Sequence, residues 1–180
     1  MTPPISGGRN LAVIPARGGS KRIPQKNIRD FAGRPLIAWP IDTALTSGLF
    51  SRVVVSTDDD EVAQAARRAG ADVPFARAAH LADDLSPVVP VIHDAIGKLR
   101  AEGDNYDNVC CIYPSAVFTT AWDLRASLMM MNDSQVRDFV IAVVKYPHPI
   151  QRAIRVTKDR QAMYVDPNSA KVRTQDLEER

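Results

Sequence analysis

The 180-residue chain has little net charge, few aromatic residues and no long uncharged apolar run, and each scarcity narrows its possible roles. A net charge of +2 with 6% aromatic residues gives no basic stripe interleaved with aromatics, so nucleic-acid binding is not predicted. Mean hydropathy is −0.18, which argues against a membrane span. Residues 1–9 lack the apolar core of a signal peptide, and we interpret them as a flexible leader.

The two cysteines, Cys110 and Cys111, are adjacent in a predicted buried strand. Their side chains should point to opposite faces, which places them poorly for a mutual disulfide. A reducing cytoplasm is therefore the predicted compartment. The spacing of His80, His93 and His148 does not suit a zinc site.

Apolar runs alternate with helical patterns along most of the chain. Strands are predicted at 10–16, 52–56, 72–75, 108–113 and 139–145, and helices at 35–48, 58–69, 88–99 and 120–131. This alternation predicts a three-layer α/β/α body of the Rossmann-like type over residues 10–145, with a mostly parallel sheet. Residues 146–180 are interpreted as an incomplete extension containing two short strands around a turn at Lys158-Asp159.

Three local signals set helix ends within this body. Pro40 predicts that the first helix starts late or kinks. Asp58 with Glu61 resembles a capping pattern for the second helix, and Gly70 predicts its end. The acidic cluster from Asp58 to Glu61 tempts a metal assignment, but we favour the structural role of complementing the helix dipole.

The richest stretch is IPARGGSKRIPQKN, from Ile14 to Asn27, directly after the first predicted strand. Gly18 and Gly19 allow close backbone approach and positive φ, and Ser20 adds a hydroxyl donor. Neither the P-loop nor the dinucleotide fingerprint is present. A polyphosphate cradle and a solvated basic turn both remain open. The basic residues of the stretch and its flank are Arg17, Lys21, Arg22, Lys26 and Arg29.

This stretch resembles the signature loop of the cytidylyltransferases that activate nine-carbon acidic sugars, the sialic-acid group. The resemblance implies a nucleotidyltransferase fold whose loop holds the CTP phosphates, with Lys26 and Asn27 reaching nucleotide and substrate. A second block, VVVSTDDDEVAQAARRAGADVPFARAAHLADDLSP, resembles that family's next motif, although Ala78 replaces its proline. Arg77 falls on the arginine of that motif and Asp84 on its acid.

Three further strings point to the pseudaminic-acid branch of the family. CCIYPSAVF resembles the block that touches the cytosine, with Tyr113 at the usual glutamine and Val117 at the usual proline. YPHPIQRAIRV and RTQDLEER resemble that branch's P-I-Q-R-A and R-S-Q-D-L-E. The family continues past the position of Arg180 with a Y-H-D-A-G-Q-F-Y-W string that includes part of its metal site. A catalytically incomplete, CTP-binding fragment therefore remains an alternative.

The resemblance implies that the sugar's anomeric hydroxyl attacks the α-phosphorus of CTP and releases pyrophosphate, with Mg²⁺ as cofactor and metal ligands unknown. Pseudaminic acid is the first substrate, and sialic or legionaminic acid is the alternative. The implied catalytic residues are Arg17, Lys21 and Lys26. The implied nucleotide-binding residues are Ala16, Arg17, Gly18, Gly19, Ser20, Lys26, Asn27, Arg77, Asp84, Ser86, Tyr113, Pro114 and Ser115.

The resemblance also nominates a sugar site in the extension. Its members are cations for the sugar carboxylate and amides for its hydroxyl or acetamido groups, namely Gln151, Arg152, Arg173 and Gln175. The alternative for these four is ordinary exposed polar residues on a β ribbon. Because a lone two-stranded extension is only marginally stable, a homodimer is expected.

Overall fold

The computed structural model describes residues 8–83, 85–133, 139–145 and 147–177. Its contacts divide the chain into two compact units, Met1–Val140 and Ile141–Arg180. The predicted leader lies almost entirely outside the described residues. No helix in the described part of the chain is long and apolar enough to cross a membrane.

The first unit is an α/β body, as predicted. Its elements in chain order are β1 (Asn10–Pro15), β2 (Asp30–Phe31), β3 (Arg34–Pro35), α1 (Ala38–Thr46), β4 (Arg52–Ser56), α2 (Asp60–Arg68), α3 (Val88–Ala101), β5 (Asn108–Cys111) and α4 (Ala121–Met131). Strands β4, β1 and β5 form a parallel sheet in that order. Because β1 is the central strand, the loop after it leaves between the ends of its two neighbours.

Helices cover both faces of the sheet, which confirms the three-layer prediction. On one face, Leu11 and Val13 of β1 pack in a cluster with Leu99 of α3. On the other face, Ala12 and Ile14 belong to a larger cluster whose helical members include Ile41 of α1, Val62 of α2 and Leu124 of α4. The core residues of β1 are fully buried, so the strand is a rigid base for the loop that follows it.

The helix signals were mostly correct. Helix α1 begins at Ala38, so Pro40 lies in the first turn, where its missing N–H removes no helical hydrogen bond. Gly70 adopts φ +93° just after α2, as predicted. The predicted cap was wrong by one residue. Asp59, not Asp58, caps α2, because its side chain accepts a hydrogen bond from the Val62 N–H.

Two predicted strands are wrong. In place of the strand predicted at 72–75 there are two isolated bridges, one from Asp72 to Val54 and one just after the range, from Ala76 to Thr57. Residues 139–145 form no strand, and their apolar side chains, such as Phe139 and Val144, are highly exposed. An apolar run becomes a strand only where a neighbouring backbone pairs with it, and within the described residues this run has no such neighbour.

A short hairpin was not predicted. Strands β2 and β3 pair antiparallel through Ala32 and Gly33, both at positive φ. The guanidinium of Arg34 stacks 3.7 Å from the centre of the Trp39 ring, which joins the hairpin to α1. The hairpin follows the glycine-rich loop in sequence, and its contact with Trp39 fixes it against α1.

The second unit is built on an antiparallel ribbon, as predicted. Strands β6 (Ile154–Val156) and β7 (Ala162–Tyr164) pair in register, and the turn between them contains Lys158 and Asp159. Short 3₁₀ turns at Ile150–Arg152, Pro167–Lys171 and Thr174–Asp176 flank the ribbon.

Candidate nucleotide site

The glycine-rich loop begins at the carboxyl end of the central strand. Ala16 is fully buried, and its N–H donates to the Ser56 carbonyl at 2.9 Å, which extends the β1–β4 pairing by one residue. The chain then leaves the sheet at Arg17. The loop is therefore anchored at the sheet edge where open α/β sheets bind ligands.

Gly18 lies against Asp58 and Asp59, the second and third residues after β4. Its N–H donates to Asp58 Oδ1 at 3.1 Å. A Cβ built on Gly18 would lie 2.6 Å from the Asp59 Cβ, whereas one on Gly19 would meet nothing within 4 Å. The expectation of positive φ at these glycines was wrong, since neither is among the positive-φ residues. Close approach explains Gly18 instead.

The exit of the loop is fixed by Asn27. This side chain is 4% exposed, and its Nδ2 donates to the Arg17 carbonyl at 2.8 Å. The backbone carbonyl of Asn27 accepts from the Ile37 N–H at 2.9 Å. Asn27 Oδ1 is buried without a hydrogen-bond partner among the described residues, so this acceptor is unsatisfied within that part of the chain.

Gln25 ties the loop to α2. It adopts φ +51°, and its Nε2 donates to Glu61 Oε2 at 2.9 Å. The backbone N–H groups of Ile28 and Arg29 both donate to the Gln25 backbone carbonyl at 3.0 Å. Sequence reasoning missed this contact. No local signal marks it, because it depends on where α2 lies.

The loop encloses a cation-lined cavity of about 470 Å³. Its lining residues are Arg17, Ser20, Lys21, Arg22, Ile23, Lys26 and Asn27. Four of these seven carry positive charge and none is acidic, so the cavity attracts anions. The structure thus brings the three predicted catalytic residues together with Ser20 and Asn27. Arg22, which was not among the predicted site residues, also lines the cavity.

Arg77 is held inside the protein beside this loop. It is 7% exposed, and its guanidinium donates to the Ser56 carbonyl at 2.5 Å and to Ser56 Oγ at 3.2 Å. Burial lowers its pKa; the nearby Asp58 charge raises it and the Arg17 charge lowers it further. The described hydrogen bonds of the Arg77 side chain are therefore made to Ser56, at the carboxyl end of β4.

The loop after residue 78 contacts the glycine-rich loop through Arg17. Arg17 Nη1 donates to the Asp83 carbonyl at 2.8 Å. The Asp83 carboxylate accepts from Ser86 N–H at 2.6 Å and lies 2.7 Å from Ser86 Oγ. Ser86 thus stabilises a local turn. Predicted Asp84 lies outside the described residues.

The third predicted block follows β5 at the same sheet edge. Tyr113 is 53% exposed, Pro114 is buried and Ser115 is exposed. Ala116 N–H donates to the Tyr113 carbonyl at 2.9 Å, which closes a turn and fixes the tyrosine backbone. An exposed aromatic ring near the end of β5 can stack on a planar base.

The predicted sugar residues lie in the second unit, and three of them have described side chains. The Arg152 guanidinium donates to the carbonyls of Ala170 and Val172, and Arg173 forms an ion pair with Asp176. Gln151 is half-buried. The side chain of Gln175 lies outside the described residues. The contacts of Arg152 and Arg173 are internal to their own unit.

No metal set emerges from the described residues. Among them, no group of three or more His, Cys, Asp or Glu side chains comes together to hold an ion. Cys110 and Cys111 are both free, as predicted, but Cys110 is half-buried and Cys111 is exposed, so the prediction of a buried strand here was wrong. Partial burial raises the pKa of the Cys110 thiol to about 11, which makes it unsuited to nucleophilic or metal chemistry at neutral pH.

Comparison with known proteins agrees with the cavity chemistry. The pseudaminic acid cytidylyltransferase of Campylobacter jejuni subsp. jejuni serotype O:2 is 41% identical over 169 residues, covering 94% of this chain and 72% of that protein. The CMP-N,N'-diacetyllegionaminic acid synthase of Legionella pneumophila is 44% identical over 110 residues, covering 61% and 47% respectively. A solved CMP:2-keto-3-deoxy-manno-octonic acid synthetase, complexed with CTP, matches with TM-score 0.60 and 25% identity.

The structural match covers 70% of this chain and 48% of the solved one, so this chain spans about half of that protein. This match supports the predicted nucleotidyltransferase fold. The sequence profile of the cytidylyltransferase family matches residues 11–176, which is nearly the whole chain. The chain therefore belongs to the cytidylyltransferase family of nucleotidyltransferases.

Proposed function

We propose that this protein transfers CMP from CTP to a nine-carbon acidic sugar, with pseudaminic acid as the substrate. The observation that carries the proposal is the cation-lined cavity at the end of β1, whose lining has four basic residues and no acid. A triphosphate is the small polyanion that such a loop accommodates. The Campylobacter relative, named for pseudaminic acid, supports the choice of sugar.

In the proposed reaction, the anomeric hydroxyl oxygen of the sugar forms a bond to the α-phosphorus of CTP. The bond from that phosphorus to the oxygen bridging to the β-phosphate breaks, pyrophosphate leaves with the electron pair, and the hydroxyl proton passes to solvent. Arg17, Lys21 and Lys26 line one cavity and supply positive charge where negative charge spreads over the phosphate oxygens. Lys26 lies nearest the loop's exit, and we assign it the largest catalytic effect.

The remaining loop residues are proposed to position the nucleotide. Ser20 lines the cavity and offers a hydroxyl donor, and the buried Asn27 Oδ1 offers an acceptor. Tyr113 is proposed to contact the cytosine, supported by its exposure at the end of β5. Ala16, Gly18, Gly19, Arg77, Asp84, Ser86, Pro114 and Ser115 complete the proposed nucleotide-binding set.

A divalent metal is typical of cytidylyltransferases, and we propose Mg²⁺. The described residues supply no cluster that fits a metal held by protein ligands alone, so no residue is assigned to the ion. Mg²⁺ in nucleotide sites is held largely by phosphate oxygens and water. Loss of turnover with a chelator, restored by added Mg²⁺, tests this requirement.

The sugar carboxylate and polar groups are proposed to bind Gln151, Arg152, Arg173 and Gln175. Legionaminic acid is the second candidate substrate, favoured by the 44% identity to the Legionella synthase. Sialic acid is tested beside it. We further propose that the protein is cytoplasmic, which the two free thiols support. We also propose a homodimer, which is supported by exposed apolar side chains on the β6–β7 ribbon, such as Ile154 and Met163.

A pyrophosphate-release assay with CTP, Mg²⁺ and a panel of acidic sugars tests the proposal. Release with pseudaminic acid, exceeding that with legionaminic or sialic acid, is expected. Release only with the eight-carbon 2-keto-3-deoxy-manno-octonic acid contradicts it. CTP binding without release for any sugar favours a nucleotide-binding role alone. Light scattering at micromolar concentration tests the dimer, and a monomer contradicts that part.

A further inference from the structure

Asp58 lies at the junction between β4 and α2 without serving either element. Strand β4 ends at Ser56, and the helix is capped by Asp59. Asp58 is exposed, and its Oδ1 accepts the Gly18 N–H at 3.1 Å. The carboxylate therefore links the β4–α2 junction to the glycine-rich loop, here called the phosphate loop, across 40 residues of sequence.

Gly18 is constrained at three of its backbone atoms. Its N–H donates to Asp58, and its carbonyl accepts from Ser20 N–H at 2.9 Å. Its α-carbon lies against Asp59, where a Cβ would be only 2.6 Å from the Asp59 Cβ. By contrast, Gly19 borders open space. Gly18 is thus the fixed point of the loop, and Gly19 belongs to the part that a ligand can approach.

The charge of Asp58 makes its position unusual. It lies beside a loop whose cavity is lined by four cations, so its negative charge reduces the attraction for phosphate. A purely electrostatic optimum would have no acid there. Two contacts of Asp58 offset this repulsion, namely its charge interaction with the buried Arg77 guanidinium and the hydrogen bond that it accepts from Gly18 N–H, and only the second acts directly on the loop.

We propose that Asp58 is a positioning residue, whose hydrogen bond from Gly18 N–H holds the phosphate loop in the conformation that receives the nucleotide phosphates. The proposal rests on the proposed function, which identifies that nucleotide as CTP. A loop held in this way does not have to be ordered on binding, so affinity is gained by preorganisation. Asp58 acts through Gly18 and does not touch the phosphates.

The test compares Asp58→Ala, Asp58→Asn and Asp60→Ala. Asparagine keeps an oxygen acceptor without the charge, and Asp60 is an exposed acid in the first turn of α2, two residues after Asp58. Isothermal titration with CTP and with pyrophosphate measures loop affinity. For Asp58→Ala we expect binding weakened about fivefold to tenfold, the effect of one lost hydrogen bond. Asp58→Asn and Asp60→Ala should bind at least as tightly as the wild type.

The sign of the Asp58→Ala effect is decisive. If the carboxylate acts only through its charge, its removal tightens phosphate binding, as in Asp60→Ala. Tighter or unchanged binding by Asp58→Ala overturns the proposal, and so does Asp58→Asn binding as weakly as Asp58→Ala.

A second readout separates this proposal from the proposed function. In protein labelled with ¹⁵N-glycine, hydrogen exchange of the Gly18 amide should accelerate in Asp58→Ala and stay at the wild-type rate in Asp60→Ala. If wild-type protein binds neither CTP nor pyrophosphate, the proposed function fails, and this exchange measurement still decides whether Asp58 holds the loop. Equal exchange in both variants overturns the positioning role.

Discussion

Replacing Gly18 by alanine probes the close packing at the base of the phosphate loop. The new Cβ would lie 2.6 Å from the Asp59 Cβ and 2.4 Å from its Oδ2. Carbon atoms in contact are normally about 3.5–4.0 Å apart, so the segments that contain Gly18 and Asp59 must separate by about 1 Å. The Asp59 side chain cannot swing away freely, because it caps α2 through the Val62 N–H at 2.9 Å.

Either response to the clash has a cost that the contacts allow to be worked out. If Asp59 moves, the helix loses its cap, which costs about 1 kcal/mol. If the loop moves, the bond from Gly18 N–H to Asp58 is lost, at a similar cost of about 1 kcal/mol. Strain from overpacking adds about 1–3 kcal/mol. We expect the unfolding free energy to fall by about 2–4 kcal/mol and turnover to fall on the order of 10²-fold, as for a 1 Å misplacement.

Gly19→Ala is the matched control. A Cβ there meets nothing within 4 Å, and Gly19 is not at positive φ. Alanine should therefore leave stability unchanged or raise it by about 0.4–1 kcal/mol through the unfolded state. Urea denaturation measures both variants. If Gly18→Ala matches Gly19→Ala in stability, the close approach of Asp59 does not shape the loop, and the reasoning is refuted.

Three other perturbations test separate parts of the account. Lys26→Ala should lower turnover about 10²- to 10³-fold, because one cation is removed from the cavity, whereas exposed Arg29→Ala should not; comparable turnover for both excludes a special role for Lys26. Arg77→Met removes one donor from each of two buried Ser56 oxygens, of which the carbonyl keeps the Ala16 N–H and the Oγ loses its guanidinium donor, so the free energy of unfolding in urea should fall by about 1–3 kcal/mol; an unchanged urea midpoint contradicts this. Hydrogen bonds, first from Arg9, hold the pKa of Asp104 below its usual value, so its stabilisation is present above about pH 4 and is lost as pH falls further. Asp104→Asn should therefore be less stable at pH 7 and lose less stability on acidification; parallel pH profiles for the two proteins speak against that linkage.

The parts of the fold that sequence could predict are those determined by local patterns. Apolar periodicity located β1, β4 and α3, and punctuation by Pro40 and Gly70 located helix ends. These signals depend on side-chain spacing and backbone φ, which neighbouring residues in sequence determine.

The errors occur where distant backbone decides. Whether Asp58 or Asp59 caps α2 depends on the glycine loop, which takes Asp58 as its own acceptor. The strand predicted at 139–145 has a suitable apolar run but lacks a paired neighbour within the described residues. The hairpin of β2 and β3 carries a weak signal, an Ala-Gly turn with both residues at positive φ.

The candidate site was predictable in its charge and less so in its geometry. Position after a buried strand, two glycines and clustered cations predicted the cavity, and it exists. From the residue types we predicted positive φ and close backbone approach to a ligand at Gly18, whereas in the structure Gly18 is not at positive φ and packs closely against Asp59. The role of Asp58 could have been sought from one rule: residues after neighbouring parallel strands meet at one sheet edge.

The most direct test of the central claim is to follow the α-phosphorus of CTP by ³¹P NMR in the presence of pseudaminic acid and Mg²⁺. The account predicts that the α-phosphorus signal converts to that of a CMP-sugar phosphodiester while pyrophosphate appears in equal amount. Mass spectrometry identifies the sugar nucleotide, and Lys26→Ala slows its formation. An unchanged α-phosphorus signal, or release of orthophosphate without a CMP-sugar, contradicts the account.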